Sequence, residues 1–386
     1  MFFDSAWGVI TAFFVFVLGA IFSIIIGRSF SLSVKNSLSL YLWHTFFCVA
    51  YVAFVLKNGG DALGYYYQAL DKNWSFGVGT SFITMVADPF INYAGFSFLA
   101  INLVFNIFGS IGLLAVYGSF KKELVNKPFW VRRTSLLVVL LPSVSFWSSS
   151  LGKDSLAFMA VGLALWASLE LESRFRLIFL SVCIMLLVRP HMAGIMLLAL
   201  SLSLVFKSQL RLALRVLIAI IALFLFVALF PFLLDYVGLS QGADLSDIEN
   251  YIERRQSYNT EGGGGIDIAS MNFPMQIFTY LFRPLPFEAH SVFALAASLD
   301  NILLLFIVVC GVLGMMRGRR PHLPADRFFM WFYTGGALLA LALTTANLGI
   351  SVRQKWMFLP ILVFLLLSYI GRSEENSEVA DSVHDR

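Results

Sequence analysis

The sequence predicts an all-α protein that crosses a membrane many times, and three observations carry that prediction. Of its 386 residues, 59% are hydrophobic and only 13% are charged, whereas soluble domains carry about 25% charged residues. The mean hydropathy is +0.81. The apolar residues fall in runs separated by short polar turns, which is the pattern of a polytopic helical membrane protein.

We predict about eleven spans in a single transmembrane domain over residues 1–370. The spans are expected near 7–27, 37–56, 95–118, 133–148, 155–169, 177–190, 192–206, 212–233, 291–316, 328–346 and 355–370. The runs between 133 and 206 are short, so tilted, broken or re-entrant helices are expected there. The run Leu177 to Val188 reaches only about 18 Å, against a hydrocarbon core of about 30 Å. Arg189, which follows it, is therefore expected at membrane depth or in a water-filled recess.

Lysine and arginine mark one side of the predicted membrane domain. They recur in alternate turns, around Arg28, Lys121, Arg174, Arg211 and Arg317. Because positive residues concentrate in cytoplasmic loops, this side is predicted to be the cytoplasm and the N-terminus to lie outside. Three outer loops are then expected at 57–94, 234–290 and 347–354. The polar tail 371–386 is predicted to be cytoplasmic and disordered.

Several function classes find no support in the sequence. The three cysteines lie in apolar runs, without the spacing of a zinc site or a disulfide framework. The run Gly262 to Gly265 is not followed by Lys and Ser or Thr, so it is interpreted as a hinge and not a phosphate loop. We predict no cofactor, no metal and no nucleic-acid partner.

The predicted outer side carries more positive charge than that side normally holds. The residues concerned are Lys153, Arg189, Arg254, Arg255, Arg283, Arg353 and Lys355. Arginine forks and lysine point charges suit phosphate, so the set predicts an anion site at the outer membrane surface. The alternative is that these side chains snorkel to the interface and pair with acidic residues such as Asp154, Glu253 and Glu288.

Asp61 is the second candidate for chemistry, at the start of a stretch that contains three consecutive tyrosines. A carboxylate there can serve as a general base toward a sugar hydroxyl, while Tyr65 and Tyr66 line a saccharide groove. The alternative is that Asp61 caps an interfacial helix whose tyrosines form an aromatic belt.

Three further polar residues lie at or within the apolar runs. Asp154 is expected to cap a helix that begins at Ser155. His191 directly follows Arg189 and Pro190, where it can donate a proton or a hydrogen bond to phosphate or serve a structural role. His44, among aromatic residues of an apolar run, is interpreted as packing.

The short motifs together resemble the bacterial polysaccharide polymerases of the Wzy type and the related EpsG-like membrane proteins. The resemblance rests on Asp61 to Tyr67, Phe146 to Asp154, Arg189 to His191, Asn347 to Ile350 and Arg353 to Lys355. It implies a GT-C-like layout in the bacterial inner membrane, with the N-terminus periplasmic. It also implies that undecaprenyl-diphosphate-linked oligosaccharide repeat units are joined at the periplasmic face, with the diphosphate lipid as leaving group.

The resemblance also implies roles for individual residues. Arg189, Arg283 and Arg353 would bind the donor diphosphate and stabilise it as it leaves. Asp61 would deprotonate or orient the acceptor hydroxyl, which makes Asp61, Arg189 and His191 the catalytic candidates. The candidate substrate-binding residues are Tyr65, Tyr66, Lys153, Arg254, Arg283, Glu288, Arg353 and Lys355. Beside the glycan carrier, the expected partners are membrane lipid, a chain-length regulator and a flippase.

Four other functions remain open at this stage. A single-sugar transferase with a polyprenyl-phosphate donor typically has an acidic residue or pair in its first outer loop, and Asp61 fits that position. An O-antigen ligase shares the layout but carries a histidine in its large outer loop, where this chain has only His290 at the end. A transporter or flippase would place charges along a path through the span centres. A structural membrane subunit would need none of these residues.

Overall fold

The protein is described by a computed structural model that covers residues 5–72, 74–206, 265–268 and 270–371, with positions 213, 216, 217 and 220. This part of the chain is helical and contains no β-strand, which confirms the predicted all-α class. Arg254, Arg255 and the predicted span 212–233 lie mostly or wholly outside the described residues, as do the tail from 372 onward and most of the segment 234–264.

The described part of the chain contains fifteen α-helices. In chain order they are α1 (Ala6–Ser29), α2 (Val34–Asn58), α3 (Asp61–Leu70), α4 (Thr80–Asp88), α5 (Phe98–Glu123), α6 (Phe129–Val139), α7 (Pro142–Ser148), α8 (Lys153–Ser168), α9 (Phe175–Val188), α10 (Pro190–Phe206), α11 (Phe273–Phe282), α12 (Val292–Met316), α13 (Arg327–Thr344), α14 (Leu348–Gln354) and α15 (Leu359–Tyr369).

Six helical segments among the described residues are long and apolar enough to cross a membrane. They are α1, α2, α5, the joined α6 and α7, α12, and α13. The pair α14 and α15 is bent by 67° and makes a seventh segment if it counts as one span. This is fewer than the predicted eleven. The difference lies mainly between 153 and 206, where α8, α9 and α10 have 16, 14 and 17 residues.

The centre of the described bundle is α5, which packs against α1, α2 and α8. Within its most apolar window 83% of the residues are buried, against 28% in α1. Glycines let α5 and α8 approach closely, as small residues do between membrane helices. A Cβ at Gly112 would lie 2.9 Å from the backbone of Met159, and one at Gly162 would lie 2.5 Å from the Gly112 carbonyl oxygen. Because α8 is buried on every side by other helices, it does not need to be long enough to cross the lipid bilayer.

Polar groups gather at the two ends of α5. At its C-terminal end the buried carboxylate of Glu123 accepts hydrogen bonds from the backbone of His322 (2.8 Å) and Leu323 (3.1 Å). The Arg327 guanidinium also donates to it at 3.3 Å. This arrangement fixes the turn before α13. At the opposite end, Phe98 packs against Tyr66 of α3 and Asn102 accepts a hydrogen bond from the backbone of Leu151, just before α8. The candidate site lies at this end of the bundle.

Two segments predicted as outer loops are largely helical. The segment 57–94 folds as α3, α4 and a short π-helix over Pro89–Tyr93. The segment 347–354 is mostly α14, and Asn347 caps the N-terminal end of this helix. The Asn347 side chain accepts hydrogen bonds from the backbone of Gly349 (2.9 Å) and Ile350 (3.2 Å), as an N-cap residue does.

Candidate functional site

Charged side chains from four separate parts of the chain meet at one end of the bundle. Asp61 stands in the first turn of α3, and Lys153 and Asp154 stand in the first turn of α8. Arg189 lies between α9 and α10, and Arg353 lies in the last turn of α14. We call these five residues the ion cluster. Four of them were singled out from the sequence as candidate site residues.

Local sequence explains where Arg189 sits. Pro190 cannot donate the backbone hydrogen bond that would continue α9, so α9 ends before it and α10 begins with it. Arg189 is left at the break, at the C-terminal end of α9, where a cation is favourable. It is 7% exposed. The helix α9 has 14 residues, which agrees with the expectation of a short helix here.

Asp154 bridges two arginines and does not cap its helix. Nη2 of Arg189 donates to Asp154 Oδ1 at 2.7 Å. Nε of Arg353 lies 3.0 Å from Asp154 Oδ2, an ion-pair contact without hydrogen-bond geometry. The prediction that Asp154 caps a helix starting at Ser155 is wrong, because α8 begins at Lys153 and Gly152 occupies the cap position.

Asp61 completes the ion cluster from the solvent side. Nη1 of Arg353 donates to Asp61 Oδ2 at 2.7 Å, and the Asp61 side chain is 55% exposed. Asp61 is the first residue of α3 and makes no capping hydrogen bond, so the alternative that it caps the helix is also wrong. The negative charge of Asp61 still stabilises the N-terminal end of α3 through the helix dipole.

Lys153 adds a third cation to the ion cluster. Its Nζ donates to Thr80 Oγ1 at 3.2 Å. Burial, followed by the charge of Arg189, lowers the pKa of Lys153 to about 8. Burial alone would raise the pKa of Asp154, but Arg353 and Arg189 outweigh it and hold that pKa below its usual range. Three cations against two carboxylates leave the ion cluster with one net positive charge near pH 7.

Arg189 keeps a donor that the described residues do not use. Nε of Arg353 is held in its ion pair with Asp154, whereas Nε of Arg189 is buried without a hydrogen-bond partner in the described part of the chain. Tyr280 is 1% exposed, and its hydroxyl also has no hydrogen-bond partner among the described residues. An unsatisfied buried donor costs about 1–3 kcal/mol. The net positive charge and these spare donors together fit a site that receives an anion.

The cavity at the ion cluster is nearly closed. Its volume is about 10 Å³, which is room for roughly one water molecule. Tyr51, Tyr65 and Trp147 line it together with the ion cluster. Burial, followed by the charge of Asp61, raises the pKa of Tyr65 to about 12, so its hydroxyl stays protonated. A diphosphate can enter only if the ion pairs rearrange.

A second, larger cavity of about 620 Å³ adjoins the first. Trp147 lines both cavities. The guanidinium carbon of Arg353 lies 6.0 Å from the centre of the Trp147 ring. Glu288 and His290 also line the larger cavity.

The other predicted binding residues are placed outside the ion cluster. Arg283 forms a two-point ion pair with Glu288, with its Nε 3.1 Å and its Nη2 2.7 Å from the two carboxylate oxygens. Burial would raise the pKa of Glu288, but Arg283 outweighs it and lowers that pKa. Lys355 is 1% exposed and donates to Asn301. Asn301 in turn donates to the carbonyl of Pro284, the residue after Arg283, at 3.1 Å.

Two further predicted residues lie close to the ion cluster in sequence. Tyr66 is half-buried, and its ring packs edge-on against Phe98 with 5.4 Å between the centroids. His191 is half-buried in the first turn of α10, two residues beyond Arg189. The small cavity is lined by Tyr65, and neither Tyr66 nor His191 is among its lining residues.

One buried network was missed from the sequence. The interpretation of His44 as packing is incomplete, because both of its ring nitrogens are hydrogen-bonded. Nδ1 lies 2.6 Å from Asn106 Oδ1, and Nε2 lies 3.0 Å from Ser148 Oγ. Leu151 is held nearby through its backbone N–H, which donates to Asn102 Oδ1 at 2.9 Å. These bonds fix the turn that leads into Lys153. The available signal was the pair Asn102 and Asn106, one helical turn apart in an apolar helix.

In comparisons with family models, curated proteins and solved structures, nothing matched this chain.

Proposed function

We propose that this protein is a membrane glycosyltransferase that polymerises oligosaccharide repeat units carried on undecaprenyl diphosphate. One observation carries the proposal. The Asp61 carboxylate lies 2.7 Å from a guanidinium nitrogen of Arg353, in a cluster that also holds Arg189 and Lys153. A general-base candidate and three anion-binding groups therefore share one site. Glycosyl transfer from a diphosphate carrier requires both functions.

The proposed step assigns the bonds as follows. An acceptor hydroxyl oxygen attacks the anomeric carbon of the donor glycan, and a new C–O bond forms. The bond from that carbon to the diphosphate oxygen breaks, and its electron pair leaves with the diphosphate. Asp61 takes the hydroxyl proton. Arg189, Arg353 and Lys153 stabilise the negative charge that develops on the leaving diphosphate.

Binding of the donor diphosphate can release Asp61, the proposed base, from its ion pair with Arg353. In the described structure Asp61 is engaged by Arg353. A diphosphate competes for that guanidinium, which frees the Asp61 carboxylate to accept a proton. Since the Asp61 side chain is 55% exposed, breaking its ion pair costs only about 0–1 kcal/mol. Asp154 keeps Arg189 and Arg353 near each other during the exchange.

The finer fold and location belong to the same proposal. The layout is GT-C-like, with about eleven spans in which the segments near 155–169, 177–190, 192–206 and 212–233 count as short or broken ones. The protein lies in the bacterial inner membrane, and the distribution of Lys and Arg puts the ion cluster on the periplasmic side. A flippase supplies the lipid-linked repeat units there, and a chain-length regulator is the further partner.

Gene deletion with glycan analysis tests the proposal. The deletion strain is expected to keep single lipid-linked repeat units and to lose the polymer ladder. Wild type and Arg317→Ala, an exposed arginine at the opposite end of the bundle, should restore the ladder. Arg353→Ala and Arg189→Ala should insert normally and fail to restore it. An unchanged glycan profile after deletion would remove the carbohydrate proposal and favour a transporter or a structural subunit.

A single-sugar transferase is the second candidate, and one observation favours it. Asp61 and Asp154 are far apart in sequence, yet both contact Arg353, so they form an acidic pair in space. Only Asp61 lies in the first outer loop, where such enzymes carry their acidic residues, and Asp154 would supply the second carboxylate from the start of α8. The same deletion separates the candidates, because a missing transferase leaves a repeat unit without one sugar. Full-length polymer left on its lipid carrier would instead indicate a ligase, for which His290 at the larger cavity would be the first residue to test.

A further inference from the structure

The cavity of about 620 Å³ next to the ion cluster is lined mainly by apolar side chains, with Glu288 and His290 among the polar ones. Its walls come from α2, α7, α12 and α14, through side chains such as Phe47, Phe146, Ala297 and Val352. The ring of Phe293 packs edge-on against that of Phe54, with 4.7 Å between centroids. The centroid of the Phe146 ring lies 5.6 Å from that of Phe293. Such walls suit a hydrocarbon ligand.

Exposed apolar side chains lie at one edge of this cavity. Val292 is 82% exposed and Phe293 54% exposed, and both begin α12, one of the span-length helices. Large apolar side chains exposed at the end of a membrane span face lipid or an apolar partner. A chain already in the bilayer can therefore enter from the side.

The apolar cavity lies next to the ion cluster. Trp147 lines both cavities, and Val352 in the larger one precedes Arg353 in the chain. The Arg353 guanidinium carbon is 6.0 Å from the centre of the Trp147 ring. A ligand that fills both spaces must have an anionic head joined to an apolar chain.

We propose that this cavity holds the first isoprene units of a polyprenyl-diphosphate carrier, with the diphosphate at the ion cluster. The inference rests on the proposed function and adds the site for the lipid chain. The cavity of about 620 Å³ is far larger than the roughly one-water space of about 10 Å³ at the ion cluster, so it has room for several carbon groups of a chain. The remainder of the chain stays in the bilayer.

Charge and chain number favour this carrier over a phospholipid. The ion cluster offers three cations and the spare Nε donor of Arg189. A diphosphate carries more negative charge and more acceptor oxygens than the single phosphodiester of phosphatidylglycerol. A polyprenyl carrier has one chain for one cavity, whereas a phospholipid has two.

Photolabelling of the full-length protein in nanodiscs tests the proposal. The probe is a polyprenyl diphosphate with a diazirine on its second isoprene unit, and the comparison probe is phosphatidylglycerol with a diazirine in one acyl chain. The polyprenyl probe is expected to label peptides that contain Phe146 or Phe293, and phosphatidylglycerol is not. Farnesyl diphosphate should compete at lower concentration than inorganic diphosphate. Equal labelling by both probes, or equal competition by both diphosphates, would overturn the proposal.

A matched pair of variants locates the chain. Ala294→Trp fills the cavity from α12 and should reduce labelling about tenfold or more, because losing a few buried CH₂ contacts has that effect on affinity. Leu295→Trp places the same side chain at the neighbouring exposed position, outside the cavity lining, and should leave labelling unchanged. Undiminished labelling of a folded Ala294→Trp variant contradicts the proposal. The competition assay decides the question if that variant does not fold.

Two outcomes separate this inference from the proposed function. Cavity labelling together with an unchanged glycan profile after deletion would keep the chain site and reject the polymerase. A lost polymer ladder together with labelling outside the cavity would keep the polymerase and reject the chain site.

Discussion

Arg353 donates a hydrogen bond of 2.7 Å to Asp61, although the two residues are 292 positions apart in the sequence. The bond links α14 to α3 and joins a cation suited to phosphate with a carboxylate suited to proton transfer. The other guanidinium contact of Arg353, with Asp154, connects this pair to Arg189. The proposed chemistry depends on that connection.

Loss of the Arg353 guanidinium should reduce glycan transfer strongly. We expect Arg353→Ala to lower the transfer rate about 10²- to 10³-fold, the effect of removing one group that stabilises transition-state charge. Arg353→Lys keeps the charge but not the fork, so it should recover only part of the rate. Transfer measured with purified protein checks this. Full activity of Arg353→Ala would exclude Arg353 from the site, and Arg317→Ala serves as the control.

Neutralising Asp61 should affect chemistry more than binding. Asp61→Asn keeps the shape of the side chain and removes the proton acceptor, so we expect the transfer rate to fall about 10²- to 10⁴-fold. Binding of the polyprenyl-diphosphate probe should persist or tighten, because Arg353 is released from its partner. An Asp61→Asn enzyme with normal turnover would contradict the assignment of Asp61 as the base.

Asp154 should matter for stability as well as for function. Asp154→Ala leaves Arg189 and Arg353 without their shared, partly buried partner. We expect a loss of about 3 kcal/mol in the free energy of unfolding, as for other broken buried pairs. Asp61→Asn, at the exposed end of the ion cluster, should change it by less than about 1 kcal/mol. Equal effects of the two substitutions in chemical denaturation would contradict this picture.

Anion binding should weaken as Lys153 loses its proton. Its pKa is lowered to about 8, so the side chain is charged below that pH and neutral above it. If only the charged form binds, affinity for the diphosphate probe should fall by about tenfold per pH unit above pH 8. Lys153→Met should bind weakly at every pH and show no such dependence. A wild-type affinity that stays constant from pH 7 to pH 9.5 would rule out a binding role for Lys153.

The same titration has the opposite effect on folding, which separates binding from unfolding. A lowered folded-state pKa means that the unfolded chain binds more protons between pH 8 and the ordinary lysine value of about 10.4. The contribution of Lys153 to stability therefore rises with pH in that window. A fall in affinity over the same range is not explained by loss of the fold through Lys153.

The sequence predicts the helices well where hydropathy alone decides them. The span expected at 291–316 is α12 at Val292–Met316, and the one expected at 7–27 is α1 at Ala6–Ser29. The number of spans is less predictable, because burial and not length determines whether a short apolar helix is stable. The fully buried α8 is the clearest case.

The sequence predicts which charged residues belong to the candidate site, but not which of them pair with one another. Asp61, Lys153, Arg189 and Arg353 stood out because each is a charged residue near the end of an apolar run. Arg283 and Lys355 met the same criterion, yet the structure engages them with Glu288 and Asn301. Only the arrangement of helices in space separates the two groups, and sequence periodicity carries no information on it.

Reconstitution in proteoliposomes with a defined undecaprenyl-diphosphate repeat unit tests the central claim most directly. We expect a ladder of polymerised glycan from the wild type and from Arg317→Ala, with release of free undecaprenyl diphosphate. Asp61→Asn and Arg353→Ala should leave the repeat units unreacted. A wild-type protein that binds the repeat unit but never lengthens it, or a ladder that persists in both variants, would contradict the assignment of the ion cluster as a polymerase site.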